Sequence, residues 1–215
     1  MHHPKVEVLI SEDDRDYMLD PKTVEEMGAF ECLVLVVDIN SSERLLTVDD
    51  WGGTAQFFRD LLYGSVRAVE DAHGSVISFI GDGLTAVLPS EEEAGMACIS
   101  IARDLRKTRD YLVSSGREAF PQLKVGIGLK LGVERGWMQV SSVSSEFVGD
   151  VPYFFGEPAV YATRISRFGR GDRCLIGPKA AANWPYGGLD GPFVRKRRTF
   201  TYEYYSFDLG DLWVD

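Results

Sequence analysis

The chain predicts an α+β fold, a ferredoxin-like βαββαβ core followed by an αβαβ extension. Three observations predict it. Short β-branched apolar runs alternate with longer stretches of helical spacing. Gly81-Asp82-Gly83 joins two strand-like runs as a hairpin signal,. Two of the apolar runs end on an acid, Asp38 in V-L-V-V-D-I-N and Asp82 in V-I-S-F-I-G-D-G-L-T-A-V.

Residues 1–27 are polar, charge-rich and carry Pro21, and read as an extension; residues 28–215 read as one domain,. Glu31 to Ile39 is too short for a helix and suits a central strand,. Thr54 to His73 is a helix with Phe58, Leu61, Leu62, Val66 and Val69 on one face, stopped at His73-Gly74,. Ser75 to Ile80 and Leu84 to Leu88 form the hairpin. Ser90 then caps a second helix whose first turn carries Glu91, Glu92 and Glu93 at the positive dipole end,. Ala94, Cys98, Ile101 and Leu105 mark its buried face.

Leu123 to Leu131 reads as a strand, and Gly136 to Val143 as a weaker one followed by a serine-rich loop. Pro158 begins a third helix that runs to Phe168,. Arg173 to Ile176 is a short strand and Pro178 to Trp184 a short helix. Val194 to Phe207, rich in β-formers, closes the sheet,.

The 215 residues carry a formal net charge of -10, which as a whole opposes binding to a nucleic-acid backbone or an anionic membrane,. Against that balance stands the basic run Arg195-Lys196-Arg197-Arg198. Cys32, Cys98 and Cys174 are odd in number, lack metal-ligand spacing and sit among apolar neighbours, so they read as buried free thiols,. With no signal-peptide pattern and no apolar run long enough to span a bilayer, the expectation is a cytoplasmic protein.

In a βαββαβ layout the first strand lies beside the central hairpin, so Asp38 and Asp82 become neighbours. Unpaired, the two carboxylates repel; divalent cations turn that repulsion into a site. The bland alternative is a plain hairpin turn at Gly81-Asp82-Gly83 with Asp38 as a strand-end cap.

Four motifs in order resemble the catalytic domain of class III nucleotidyl cyclases over roughly residues 31–207. V-V-D-I looks like the first metal motif, with Asp38 and the Ile39 carbonyl as ligands. S-F-I-G-D-G looks like the second, with Asp82. V-G-I-G-L-K-L-G looks like the glycine-rich strand, with Lys130 where a histidine is common. F-F-G-E-P-A-V-Y-A-T-R-I looks like the segment ending in the transition-state arginine, Arg164. The resemblance implies two divalent cations (Mn2+ or Mg2+), a nucleoside triphosphate substrate and a homodimer with composite sites. It also implies a phosphate cradle around Ser41 and Ser42, and a late basic residue for the terminal phosphates, for which Lys196 is favoured within Arg195 to Arg198.

The departures narrow the substrate. The two base-reading positions carry Ser78 and Tyr153, neither of them the adenylyl nor the guanylyl pair. A short hydroxyl and a bulky ring suit a smaller base. This is similar to the Pycsar pyrimidine cyclases of bacterial antiphage defence, which implies cyclic UMP or cyclic CMP, with UTP favoured over CTP. The family asparagine four residues before the arginine is Val160, which Tyr161 or Thr163 would have to replace. Rival readings are a non-catalytic nucleotide-binding module and a divergent adenylyl or guanylyl cyclase.

Overall fold

The computed structural model describes residues 28–40, 42, 51–114, 128–145, 149–169, 173–197 and 200–209. Residues 1–27, Ser41 and residues 123–127 of the anticipated glycine-rich strand lie outside them.

The described elements, in chain order, are β1 (Ala29–Asn40), α1 (Trp51–Asp71), β2 (Ser75–Ile80), β3 (Gly83–Leu88), α2 (Glu91–Ser114) and β4 (Gly128–Ser145). They continue as β5 (Gly149–Gly156), α3 (Glu157–Ser166), β6 (Arg173–Ile176), α4 (Pro178–Ala181), β7 (Leu189–Arg197) and β8 (Phe200–Asp208). One sheet runs β2-β3-β1-β4-β6-β8-β7, with β5 hydrogen-bonded to β4. The strand order β2-β3-β1-β4 is that of the anticipated ferredoxin-like core, and the fold is α+β. Only the β4–β6 pairing among these is parallel.

Strand alternation divides the core in two. Leu33, Leu35, Val37 and Ile39 of β1 face Leu84, Ala86 and Leu88 of β3, and the buried faces of α1 and α2 cover them. Phe57, Leu61 and Val69 come from α1; Ala94, Cys98, Ile101 and Leu105 come from α2. Phe30, Cys32, Val34 and Val36 point the other way, under Ala159 and Ala162 of α3. Each fully buried leucine contributes about 1.5–3 kcal/mol. From Cys32 to Val37 both faces of β1 are therefore apolar, and Asp38 ends that run.

The helix start at Ser90 is as anticipated. The Glu92 amide donates to Ser90 Oγ at 3.2 Å, so the serine caps the helix, and its hydroxyl donates in turn to the Glu93 carboxylate,. Cys32, Cys98 and Cys174 are free and buried. Burial pushes the Cys32 thiol up to about 12.

Three expectations change. The two strands anticipated either side of residues 132–135 are one continuous strand, β4, because Gly132 and Gly136 serve helix packing and do not interrupt the ladder. A Cβ on Gly132 would lie 2.2 Å from the Ala162 carbonyl oxygen, and one on Gly136 would lie 3.2 Å from Pro158. Ser144 and Ser145, anticipated in a serine-rich loop after Val143, are instead the last residues of β4, paired with Asp150 and Gly149 of β5. Gly149, Pro152 and Gly156 hide β5 from a propensity reading; on an edge strand such residues are tolerated,. The closing segment is a hairpin, β7 and β8, rather than one β-rich run.

Candidate active site

Asp38 is the first polar side chain on the α3 side of β1 after Val34 and Val36. β1 pairs with β4 over twelve positions, which sets Lys130 directly opposite Asp38. Directly opposed residues share a face. Lys130 Nζ accordingly donates to Asp38 Oδ2 at 3.1 Å, with the two side chains 23% and 36% exposed.

Asp82 arrives from the other side of β1. The β2–β3 hairpin turns on Gly81, at φ +61°, and Asp82, with Ile80 paired to Gly83. A glycine in the first central position is what a type II′ turn requires. Gly83 then passes so close to β1 that a Cβ there would meet the Val37 carbonyl oxygen at 2.4 Å and the Asp38 Cα at 3.4 Å. The residue before it, Asp82, is thereby held beside the end of β1. Its Oδ2 is buried and has no hydrogen-bond partner among the described residues. A buried carboxylate oxygen with nothing to bond is costly, and a cation is the partner that an acid set of this kind fits.

Among the described residues no three acids, histidines or cysteines gather into an all-protein cage. Two carboxylates at adjacent strand ends suit a cation that takes its other ligands from a phosphate, as magnesium sites commonly do.

A cleft of about 130 Å³ opens here, lined by Asp38, Gly83 and Thr85 from the sheet and by Thr163, Ser166 and Arg167 from α3 and its end. Ser78 is half-buried and lies opposite Thr85, which puts it on this face. Ser42 follows β1 and is half-buried. Ile39 buries its side chain on the opposite face at 2% exposure, so its backbone is what it presents at the end of β1.

Arg164 is on α3 but does not line this cleft. Its guanidinium lies over the Phe200 ring at 5.2 Å and the Tyr202 ring at 5.7 Å, and it donates to the Tyr202 hydroxyl. Tyr153 is 56% exposed on the β4–β5 arm, stacked on Phe155 and away from the cleft. Lys196 pairs across β7–β8 with Thr201. That register puts it on the sheet face opposite Phe200 and Tyr202, whereas Arg195 and Arg197 share the face that carries Arg164. One protomer thus holds Asp82 beside Asp38 at the end of β1 and sets Ser78 on the face that carries Asp38, while Arg164, Tyr153 and Lys196 do not line the cleft.

The sequence reading overlooked two neighbours. Lys130 was legible only as a departure from a motif; its pairing needed the β1–β4 register. Arg167, one turn beyond Arg164, had no signal of its own. Of the two suggested replacements for the missing asparagine, the Tyr161 hydroxyl is occupied: it donates to the Glu203 carbonyl at 2.8 Å and accepts from the Glu203 amide at 3.1 Å. Thr163 lines the cleft, its hydroxyl donating to the Ala159 carbonyl at 2.7 Å.

Further along the same face of β4 lies Glu134, buried at 3% exposure. It accepts from the Arg135 amide at 2.9 Å and the Ala180 amide at 3.1 Å. Burial raises its carboxyl above the usual range, with those hydrogen bonds and Lys179 opposing the rise.

No family profile and no curated protein sequence matches the chain. Solved structures do. The guanylyl cyclase Cya2 superposes with a TM-score of 0.70 at 12% identity, over 83% of this chain and 91% of that one. The adenylyl cyclase CyaB from P. aeruginosa gives 0.68 at 13% identity, over 84% and 95%. The fold is that of class III cyclase catalytic domains. A class III adenylyl cyclase-like ATP-binding protein from Pseudomonas aeruginosa also has this cyclase fold, with a TM-score of 0.62 at 18% identity over 72% of this chain and 34% of that one. At such identities the likeness concerns the cyclase fold, and chemistry has to be argued from side chains. No helix among the described residues is long and apolar enough to cross a membrane.

Proposed function

We propose that the protein is a nucleotidyl cyclase that converts a pyrimidine nucleoside triphosphate, UTP in preference to CTP, to its 3′,5′-cyclic monophosphate and pyrophosphate. The observation that carries this is Asp82 held beside Asp38 at the end of β1, its Oδ2 buried with no partner among the described residues. In the reaction the ribose 3′-oxygen forms a bond to the α-phosphorus, the bond from that phosphorus to the β-phosphate oxygen breaks, and the hydroxyl proton leaves to solvent.

Asp38, Asp82 and the Ile39 carbonyl are the groups that would hold two divalent cations, Mn2+ or Mg2+. When bound, such cations lower the pKa of the attacking hydroxyl and screen the triphosphate. Ser41 and Ser42 would receive phosphate oxygens just past β1. Ser78, on the cleft face, would hydrogen-bond the base edge. A hydroxyl there reaches less far than lysine or glutamate and favours a base met at short range.

Arg164 would act on the second subunit's substrate. Its distance from its own cleft, and the exposed aromatic pair Tyr153 and Phe155 on the β4–β5 arm, support a homodimer with composite sites,. There the guanidinium would neutralise charge on the α-phosphoryl group in the transition state. Tyr153 would border the base and Lys196 the terminal phosphates. The likeness to Pycsar cyclases extends this reading to a second messenger for antiphage defence.

A second reading, a non-catalytic nucleotide-binding module, is favoured by the Lys130–Asp38 ion pair and by Val160 in place of asparagine. Incubating purified protein with ATP, GTP, CTP and UTP separately, with Mn2+, and weighing the products separates the two. The proposal predicts cyclic UMP as the main product. A cyclic purine would overturn the base assignment, and nucleotide binding without any cyclic product would favour the second reading.

A further inference from the structure

Lys130, paired with the cleft residue Asp38, is a group whose position works against the chemistry proposed above. It sits directly across from Asp38 in a ladder of twelve consecutive pairs between two central strands, so neither Cα can drift from the other. Its ammonium lies 3.1 Å from Asp38 Oδ2, in a setting where both side chains are at least partly shielded. The neighbouring acid is treated differently: Asp82 Oδ2 is buried with no partner among the described residues. One carboxylate of the pair is therefore already neutralised by a protein cation and the other is left open.

Resting on the cation-site reading of Asp38 and Asp82, we propose that Lys130 is the site's resident cation, and that it sets the divalent-ion concentration at which the site fills. With the ammonium in place the two acids and the lysine sum to a charge of about -1 instead of -2, so the attraction for an incoming ion is roughly halved. The ion must also take Asp38 Oδ2 from a donor that holds it by a charge-assisted hydrogen bond. Lysine suits this task. Its charge is a point on a flexible four-carbon stem that can swing away from Asp38 when displaced, which a planar guanidinium does less readily. A site without Lys130 would bind its cation at rest; this one binds it when the metal, or a metal–nucleotide complex, outcompetes the ammonium.

The test is a titration of the full chain with Mn2+ alone, followed by the electron paramagnetic resonance signal of the free ion. Wild type is compared with K130M, K130Q and K130R, and D82N marks the site. We expect K130M and K130Q to bind Mn2+ about tenfold more tightly than wild type, the ratio that corresponds to about 1.4 kcal/mol. K130R, which keeps the charge on a group that leaves less readily, binds Mn2+ no more tightly than wild type, and D82N loses the binding. If the neutral variants fold, by thermal melting, and bind Mn2+ no more tightly than wild type while D82N still abolishes binding, the role of Lys130 is overturned and the cation site stands. If no variant shows binding that D82N removes, both fall.

Discussion

Asp82 carries a cost in the free protein that, on the proposed reading, a bound cation repays. A buried carboxylate oxygen without a hydrogen bond loses its hydration for nothing, so Asp82→Asn is expected to leave the melting temperature unchanged or higher,. The same change is expected to lower cyclisation by ~10²–10³, a loss comparable to removing one electrostatic contact to a transition state. Melting curves and product assays on one sample check both halves. Glu134 gives a second prediction. Burial raises its folded carboxyl above the unfolded value of 4.5, so the folded state holds its proton longer than the unfolded one. Stability must then fall as pH rises from 4.5 through the raised folded value, and Glu134→Gln should remove that decline. Denaturant midpoints measured across this range for both proteins test the sign. Among residues, the two acids were legible because each ends an apolar run, where an ionised group is out of place unless it has work to do. Lys130 was not, since a lysine in a strand is usually solvated and its partner is remote in sequence.

Glycines position the site at the level of elements. Gly132 lets α3 rest on β4, and a methyl there would meet the Ala162 carbonyl oxygen at 2.2 Å, a backbone atom that cannot give way. Gly132→Ala is therefore expected to cost about 1–3 kcal/mol by overpacking, and to shift Arg164 and Thr163, which follow on the same helix. A loss of activity that exceeds the loss of folded protein, measured below the melting temperature, would show the displacement. The core strands, the first two helices and the capping serine Ser90 were readable from periodicity and end signals. β5 was not, because Gly149, Pro152 and Gly156 punctuate it and its support comes from pairing with β4. Nor was the face taken by Lys196: its register depends on where the β7–β8 hairpin turns.

For the whole molecule, the proposal depends on two copies. Arg164 lies against Phe200 and Tyr202 of its own chain and does not line its own cleft, so under the proposal each site takes the arginine of the partner. Arg164→Ala is expected to lower kcat by ~10³ while leaving Mn2+ binding intact. Mixing inactive Asp38→Asn and Arg164→Ala proteins should restore about one quarter of wild-type activity, because half the re-equilibrated dimers carry one complete site. Recovery on mixing, absent from either protein alone, checks it. Sequence motifs implied this sharing only by resemblance; no periodicity within one chain encodes where a second copy sits.

The most direct measurement is anomalous diffraction at the manganese edge from crystals grown with Mn2+ and a non-cyclisable UTP analogue. The account predicts manganese within about 2.0–2.2 Å of carboxylate oxygens of both Asp38 and Asp82, with Lys130 displaced and Arg164 of the other subunit facing the α-phosphate. Manganese bound away from both acids, or nucleotide bound with the Lys130–Asp38 pair still closed, would contradict it.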